Sequence, residues 1–252
     1  MKKPFDMNNI KISRGGKLFA YQTRILSWYK TKNNRRQKFQ LELAIHPLTI
    51  GKIIINYPGS EGSLDGYNNK YKTLAEYIVD QKLASVVRLP NPHTYGFGWD
   101  MNLREVLSYV LKNSEAICGT KSPELYLMGT SAGAGVIASL AWEYPEIKKI
   151  LLLEPAPIPD DEVTKEALGK YTGEIYIVVG SGGEALGEIV GRKFLDSAIK
   201  ASRRVIFVIP NCDHQFKGEK NGRILSQAPF YAFLDDPKPL FPEGNGGVKL
   251  YE

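Results

Sequence analysis

Only two cysteines, Cys118 and Cys212, occur among 252 residues, too few for a disulfide framework or a four-ligand structural zinc site. Long apolar runs are missing too. The best short stretches, Ile150–Leu153 and Val136–Ala141, fall well below the ~18 residues a transmembrane helix needs, so no membrane span is expected. No apolar segment follows Lys2 and Lys3, and no secretory signal is read at the start of the chain. Such cysteine usage suits a reducing, cytoplasmic compartment. Negative charge is scarce in one region only. Residues 1–40 hold eleven Lys and Arg against the single acid Asp6, whereas the remainder holds 22 basic against 26 acidic residues. A basic arm of this kind can attract anionic surfaces or nucleic acid. It can equally be an exposed hairpin whose cations discourage edge-to-edge pairing. No nucleic-acid motif accompanies it, and no nucleic-acid partner is expected.

What is present is an ordinary globular composition, with 43% hydrophobic and 24% charged residues. Residues 17–45 read as two strands around a polar turn at Asn33-Asn34, with clean alternation in Phe39-Gln40-Leu41-Glu42-Leu43-Ala44-Ile45. Thereafter short apolar strands alternate with helical stretches, the signature of a mostly parallel sheet with helices on both faces. The strands are expected at Lys52–Asn56, Ser85–Leu89, Leu125–Met128, Lys149–Leu153, Ile175–Val179 and Val205–Ile209. Helices are expected at Tyr71–Gln81, Arg104–Ala116, Ala132–Glu143, Val163–Lys170, Gly191–Ala201 and Pro229–Leu234. No repeat or linker interrupts the chain. One α/β domain is expected over 1–252, with a lead-in at 1–16 and a Pro- and Gly-rich tail at 236–252 read as irregular.

One motif carries chemistry. Leu125-Tyr126-Leu127-Met128 runs into Gly129-Thr130-Ser131-Ala132-Gly133 and then into the helical pattern from Ala134 to Leu140. Strand, G-x-S-x-G, helix is a nucleophile elbow. The serine sits on a sharp, strained turn, and side chains in place of the two glycines would collide with the neighbouring strand and helix. Ser131 would stand at a helix N-terminus, whose dipole favours a nearby oxyanion. Two other glycine-rich stretches exclude themselves from phosphate binding. Gly180–Gly183 lacks the G-x-G-x-x-G spacing, and Gly59-Ser60-Glu61-Gly62 has no following Gly-Lys-Ser/Thr.

With that motif in that setting, residues 17–235 resemble the α/β-hydrolases. The resemblance implies a triad ordered nucleophile, acid, histidine along the chain. Of the three histidines, only His214 follows Ser131. It lies in the loop after Val205–Ile209, with Phe216 two positions on, as the family places its general base. The acid is expected after the penultimate strand, where Glu184 is the first carboxylate. The family's commoner position, three residues past the strand-end glycine, is occupied by Gly183. The rival is Glu154 at the tip of Leu151-Leu152-Leu153, since some lipases of this fold supply the acid there. Glu188 and Asp196 read as solvated helix charges, and Asp213 as a surface residue pointing away.

The resemblance further implies an oxyanion hole built from two backbone amides. One is that of Ala132. The other is that of Ser60, in Tyr57-Pro58-Gly59-Ser60, where Pro58 replaces the family's usual histidine. Arg88–Trp99 resembles the family's Gly-x-Gly loop. Its aromatics Tyr95, Phe97 and Trp99 either line an acyl or alcohol pocket or wedge into the core. His93 reads as a loop residue. About twenty residues separate the Leu153 and Ile175 strands, which leaves no room for a large cap.

The expected function is a serine hydrolase of carboxylic esters or related acyl bonds, acting on a small-molecule acyl substrate without metal or organic cofactor. Thioesterase, peptidase, lactonase or acyltransferase chemistry would use the same constellation. A non-catalytic binding protein on a hydrolase fold is the alternative from another class. Oligomeric state leaves no mark in the sequence.

Overall fold

The computed structural model describes residues 10–12, 18–94, 96–182, 187–234 and 249–251. Two short strands, β1 (Ile10–Ile12) and β2 (Leu18–Ala20), pair antiparallel, so the stretch read as a lead-in contains a strand. Contacts then gather the chain into two compact units, residues 1–56 with 61–123, and residues 57–60 with 124–252.

In the first unit, β3 (Gln22–Lys32) and β4 (Arg35–His46) form the expected hairpin, in register from Gln22↔Ile45 to Lys32↔Arg35. Its turn is Asn33-Asn34, with φ of 49° and 59°. Asparagine tolerates this left-handed backbone, which a two-residue hairpin of matching twist requires. Next come β5 (Lys52–Tyr57), α1 (Lys70–Asp80) and β6 (Ser85–Arg88), with β5 and β6 parallel. The last three residues of β4 pair antiparallel with β6. The helical stretch expected over 104–116 divides into α2 (Met101–Lys112) and α3 (Ser114–Cys118). Asn113 at the break donates from Nδ2 to the Tyr109 carbonyl at 2.7 Å, an asparagine side chain competing with the helical backbone.

A buried polar cluster lies within this unit. Arg88 is wholly buried, and its Nε–H donates to His46 Nε2 at 3.1 Å while Nη1 reaches the Leu64 carbonyl and the Asp65 carboxylate. The Tyr21 ring stacks on His46 with centroids 5.1 Å apart. Burial and the Arg88 charge hold His46 far down, at about 3, so it is neutral.

The second unit contains β7 (Glu124–Thr130), α4 (Ala132–Leu140), β8 (Ile147–Leu153), α5 (Asp161–Lys170), β9 (Glu174–Gly180), α6 (Glu188–Ser197), β10 (Arg203–Ile209), α7 (Glu219–Phe233) and β11 (Lys249–Tyr251). Strands β7, β8, β9 and β10 run parallel in that order. Ile150, Leu152, Ile175, Ile177, Val179, Val205 and Ile206 are all without solvent exposure. Such burial explains why these strands read as continuous apolar runs instead of alternating ones. Each of these side chains contributes roughly 1.5–3 kcal/mol relative to exposure.

Two further elements differ from the sequence reading. α7 begins ten residues before Pro229, with Gly222 and Pro229 inside it; both are poor helix formers and conceal the helix in the sequence. β11 falls in the tail read as irregular and pairs antiparallel with β10. The mostly parallel α/β architecture expected from the sequence is the one observed. Among the described residues no helix is long and apolar enough to cross a membrane.

Candidate active site

Ser131 joins β7 to α4 with φ 52° and ψ −122°, a backbone that L-residues rarely adopt. Its backbone is fixed on both sides. Ser131 N–H donates to the Leu153 carbonyl at 2.9 Å, and its own carbonyl accepts from Gly135 N–H at 3.1 Å and Ala156 N–H at 3.2 Å. The elbow glycines are sterically required. A Cβ at Gly129 would lie 2.7 Å from the Ala134 nitrogen, and one at Gly133 would lie 2.2 Å from the Pro58 carbonyl oxygen and 2.5 Å from that of Tyr57. Ala132 opens α4, so its N–H belongs to the first turn that the helix itself leaves without a carbonyl partner.

The 57–60 segment packs against this elbow. A Cβ at Gly59 would sit 3.2 Å from Ser131 Cβ and 3.8 Å from its Oγ. Gly59 is therefore the residue of this segment that faces the nucleophile, and Ser60 is the exposed residue after it.

Glu154, immediately after β8, is wholly buried. Its φ is 47°, and its N–H donates to the Val178 carbonyl at 2.9 Å. This twist aims the carboxylate across the ends of β9 and β10. Oε1 accepts from Gly180 N–H, and Oε2 accepts from Gly187 N–H at 3.1 Å. Oε2 also stands 3.5 Å from His214 Nδ1, wide of a formed hydrogen bond. That nitrogen is itself buried, although the imidazole as a whole is 38% exposed. Glu184 lies outside the described residues.

His214 is carried by a loop that its own residues brace. Asp213 Oδ1 accepts from the Gln215 and Lys217 amides at 3.1 and 3.0 Å. These bonds, the Lys217 amide foremost, hold its carboxyl below the usual range. Asp213 is thus a turn-former. Phe216, two residues past the histidine, is buried. The loop is tied to the end of β9 by Gly182 N–H to the Cys212 carbonyl at 3.0 Å and Asn211 N–H to Ser181 Oγ at 3.1 Å. Burial, with the charges of Glu154 and Asp213, pushes the Cys212 thiol up to about 12.

The structure thus gathers two groups of the sequence candidates, Ser131 with Ala132 and the Gly59 turn, and His214 with Glu154. The segment Leu153–Ala156 connects them, bonded to Ser131 through backbone and to His214's side through the Glu154 carboxylate. Glu188 instead pairs with Arg192 in the first turns of α6. In the first unit, Phe97 meets Phe39 edge-on with centroids 5.1 Å apart, and Phe39 stacks on Trp28 at 5.9 Å. Phe97 is half-buried in this aromatic cluster. Tyr95 lies outside the described residues. His93 is exposed, and its backbone N–H donates to Glu61 Oε1 at 2.9 Å.

Between β8 and β9 the chain is filled by α5. A pocket of about 340 Å³ lined by α5 and α6 residues such as Asp161, Lys193 and Phe194 includes none of the elbow residues. Among the described residues no cluster of three or more His, Cys, Asp or Glu side chains is arranged to hold a metal ion.

No family model matches the sequence, and no curated protein matches it. Solved structures do. Est1E from Butyrivibrio proteoclasticus aligns over 80% of this chain and 95% of its own, at 16% identity and a TM-score of 0.57. Dienelactone hydrolase from Anabaena variabilis aligns over 84% of this chain and 100% of its own, at 16% identity and a TM-score of 0.57. A putative dipeptidyl aminopeptidase IV from Bacteroides ovatus aligns over 92% of this chain and 37% of its own, at 13% identity and a TM-score of 0.64.

Proposed function

We propose that this chain, which has the α/β-hydrolase fold, is a serine hydrolase that cleaves carboxylic esters through an acyl-enzyme. The observation that carries the reading is the buried Glu154 carboxylate facing His214 Nδ1 from a loop hydrogen-bonded to the Ser131 backbone. A carboxylate in that place holds the imidazole with its proton on Nδ1, leaving Nε2 as the base.

Ser131 Oγ attacks the carbonyl carbon while His214 Nε2 accepts its proton. The carbonyl oxygen becomes an oxyanion received by the Ala132 amide and by a second amide from the Gly59–Ser60 turn, with Ser60 as the donor. Collapse expels the alcohol, which takes the proton back from His214. Water then repeats the sequence on the acyl-enzyme and frees the acid. The 3.5 Å gap between His214 and Glu154 closes by a few tenths of an ångström as the imidazolium charge develops, as unliganded sites of this kind commonly tighten. The triad acid in this reading is Glu154, in place of Glu184. The substrate in this reading is a small acyl compound. Est1E, a neighbour in fold, is also known with ferulic acid bound, and such neighbours make an ester the first substrate to test. Peptide-bond cleavage is the second reading, favoured by the likeness to the aminopeptidase structure.

Reaction with a fluorophosphonate probe, followed by peptide mapping, tests the proposal. Labelling is expected at Ser131 and absent in Ser131→Ala. Turnover of p-nitrophenyl acetate, set beside an aminoacyl p-nitroanilide, separates ester from amide chemistry. A folded protein that neither labels nor turns over an ester overturns the reading in favour of a binding protein.

A further inference from the structure

Beyond its pairing with β6 at Ala44–His46, β4 continues as a two-stranded ribbon with β3. The register places Ile25, Ser27, Tyr29 and Thr31 on one face, opposite Glu42, Gln40, Lys38 and Arg36. All eight are exposed. Two are large apolar side chains that water does not favour, Ile25 at 68% exposure and Tyr29 at 53%. The Arg36 guanidinium lies 4.0 Å over the Tyr29 ring. Between residues 24 and 38 the ribbon carries Arg24, Lys30, Lys32, Arg35, Arg36 and Lys38 and no acid. Lys30 is 3.6 Å from Glu105, and Lys32 donates to the Gly96 carbonyl at 2.6 Å, so these two brace the ribbon against its own unit. Arg35, Arg36 and Lys38 have no acidic partner among the described residues.

An exposed strand edge invites a second strand, but a second copy of this one would bring like charges face to face. A single-stranded nucleic acid needs several ring faces in a row for stacking, and Tyr29 is the only aromatic on the exposed face, with one side already covered by Arg36. Tyr29 is flanked by Arg36 and Lys38, while Ile25 lies farther along the same face beside Glu42. What complements an exposed apolar pair with its cations gathered at the turn end of the ribbon is an interface that is anionic at its surface and apolar just beneath it. Tyrosine prefers the headgroup level of a bilayer, and each Lys or Arg close to an anionic leaflet adds attraction that salt screens. We infer that the β3–β4 ribbon is a docking surface for anionic lipid membranes, with Arg35, Arg36 and Lys38 meeting the headgroups and Tyr29 and Ile25 entering the interface.

The test is co-sedimentation of the full chain with vesicles of phosphatidylcholine alone or with added phosphatidylserine, an anionic lipid of the cytoplasmic leaflet. Selective binding to the anionic vesicles is expected, falling steeply between low and high salt. Arg35→Gln/Arg36→Gln/Lys38→Gln is expected to weaken it by about a hundredfold, at roughly fivefold per cation. Tyr29→Ser/Ile25→Ser is expected to weaken it while leaving the salt slope unchanged. Thermal unfolding confirms that each variant is folded, and Lys148→Gln, at an exposed lysine outside the ribbon, is the control for bulk charge. Equal binding to both vesicle types, binding unchanged in the triple variant, or tighter binding to a single-stranded oligonucleotide than to anionic vesicles would overturn the inference. Binding is read without turnover, so its failure is separate from that of the hydrolase reading.

Discussion

His214 Nδ1 faces Glu154 Oε2 at 3.5 Å, and Leu153 just before that glutamate and Ala156 two residues after it hold the Ser131 backbone, Leu153 by its carbonyl and Ala156 by its amide. The carboxylate and the serine are therefore fixed to one another before any substrate arrives. Glu154→Gln should lower kcat for an ester by about 10³–10⁴-fold, because the amide no longer selects the imidazole tautomer that leaves Nε2 basic. It should also cost about 1–3 kcal/mol of stability, since the new NH₂ group would meet whichever of the Gly180 and Gly187 amides the remaining oxygen does not serve. Glu184→Gln should leave kcat within about twofold of the parent. Steady-state kinetics on both variants checks the assignment, and the reverse result would move the acid to Glu184.

Gly133→Ala should be severe for a different reason. The new methyl would lie 2.2 Å from a backbone oxygen that no rotamer change can move. Overpacking of this kind costs roughly 1–3 kcal/mol, which lowers Tm by about 3–10 °C in a chain of this size. Calorimetry reads the shift. Gly222→Ala, where a Cβ meets nothing within 4 Å, should be neutral or slightly stabilising.

Acid should weaken the fold through His46. Its pKa is about 3 in the folded chain against 6.5 for the free side chain, so between those values the unfolded chain binds the extra proton. Stability therefore rises with pH across this window and is lost as pH falls below 6.5. From pH 7 to pH 5 the loss attributable to this residue is about 2 kcal/mol. Urea midpoints at the two pH values measure it. His46→Gln, which keeps an acceptor for Arg88 and does not titrate, should flatten that part of the dependence.

Cys212 sits two residues from the proposed base, yet it should be inert. With its thiol pushed up to about 12 and its side chain buried, the thiolate that reacts is nearly absent at neutral pH. Iodoacetamide at pH 8 should leave it unmodified in the native protein and alkylate it in denaturant. Fast native labelling at Cys212 would contradict the burial described here.

The elbow and the hairpin were legible in the sequence because each is written in consecutive residues. G-x-S-x-G between an apolar strand and a helix, and Asn-Asn between alternating runs, need no knowledge of the rest of the chain. The parallel strands were legible for a related reason, since burial on both faces erases alternation. Glu154 is the opposite case. Its burial, its positive φ and its partners come from Gly180, Gly187 and His214, all remote in sequence, so the local text Leu151-Leu152-Leu153-Glu154 names it only as a rival. α7 was hidden by its own Gly222 and Pro229, which a helix tolerates when its apolar face is buried. β11 was hidden because three residues after a Pro- and Gly-rich run carry too little pattern to count as a strand.

The close approach of Pro58 to Gly133 has a consequence in time. These residues belong to distant parts of the chain, and contacts between distant parts form only after the long loop between them has closed. A serine at positive φ has no local reason to stay there. In a nascent or partly folded chain Ser131 relaxes to ordinary backbone angles, and the turn that exposes its hydroxyl does not yet exist. The elbow geometry on which the proposed chemistry depends is thus a property of the finished fold alone.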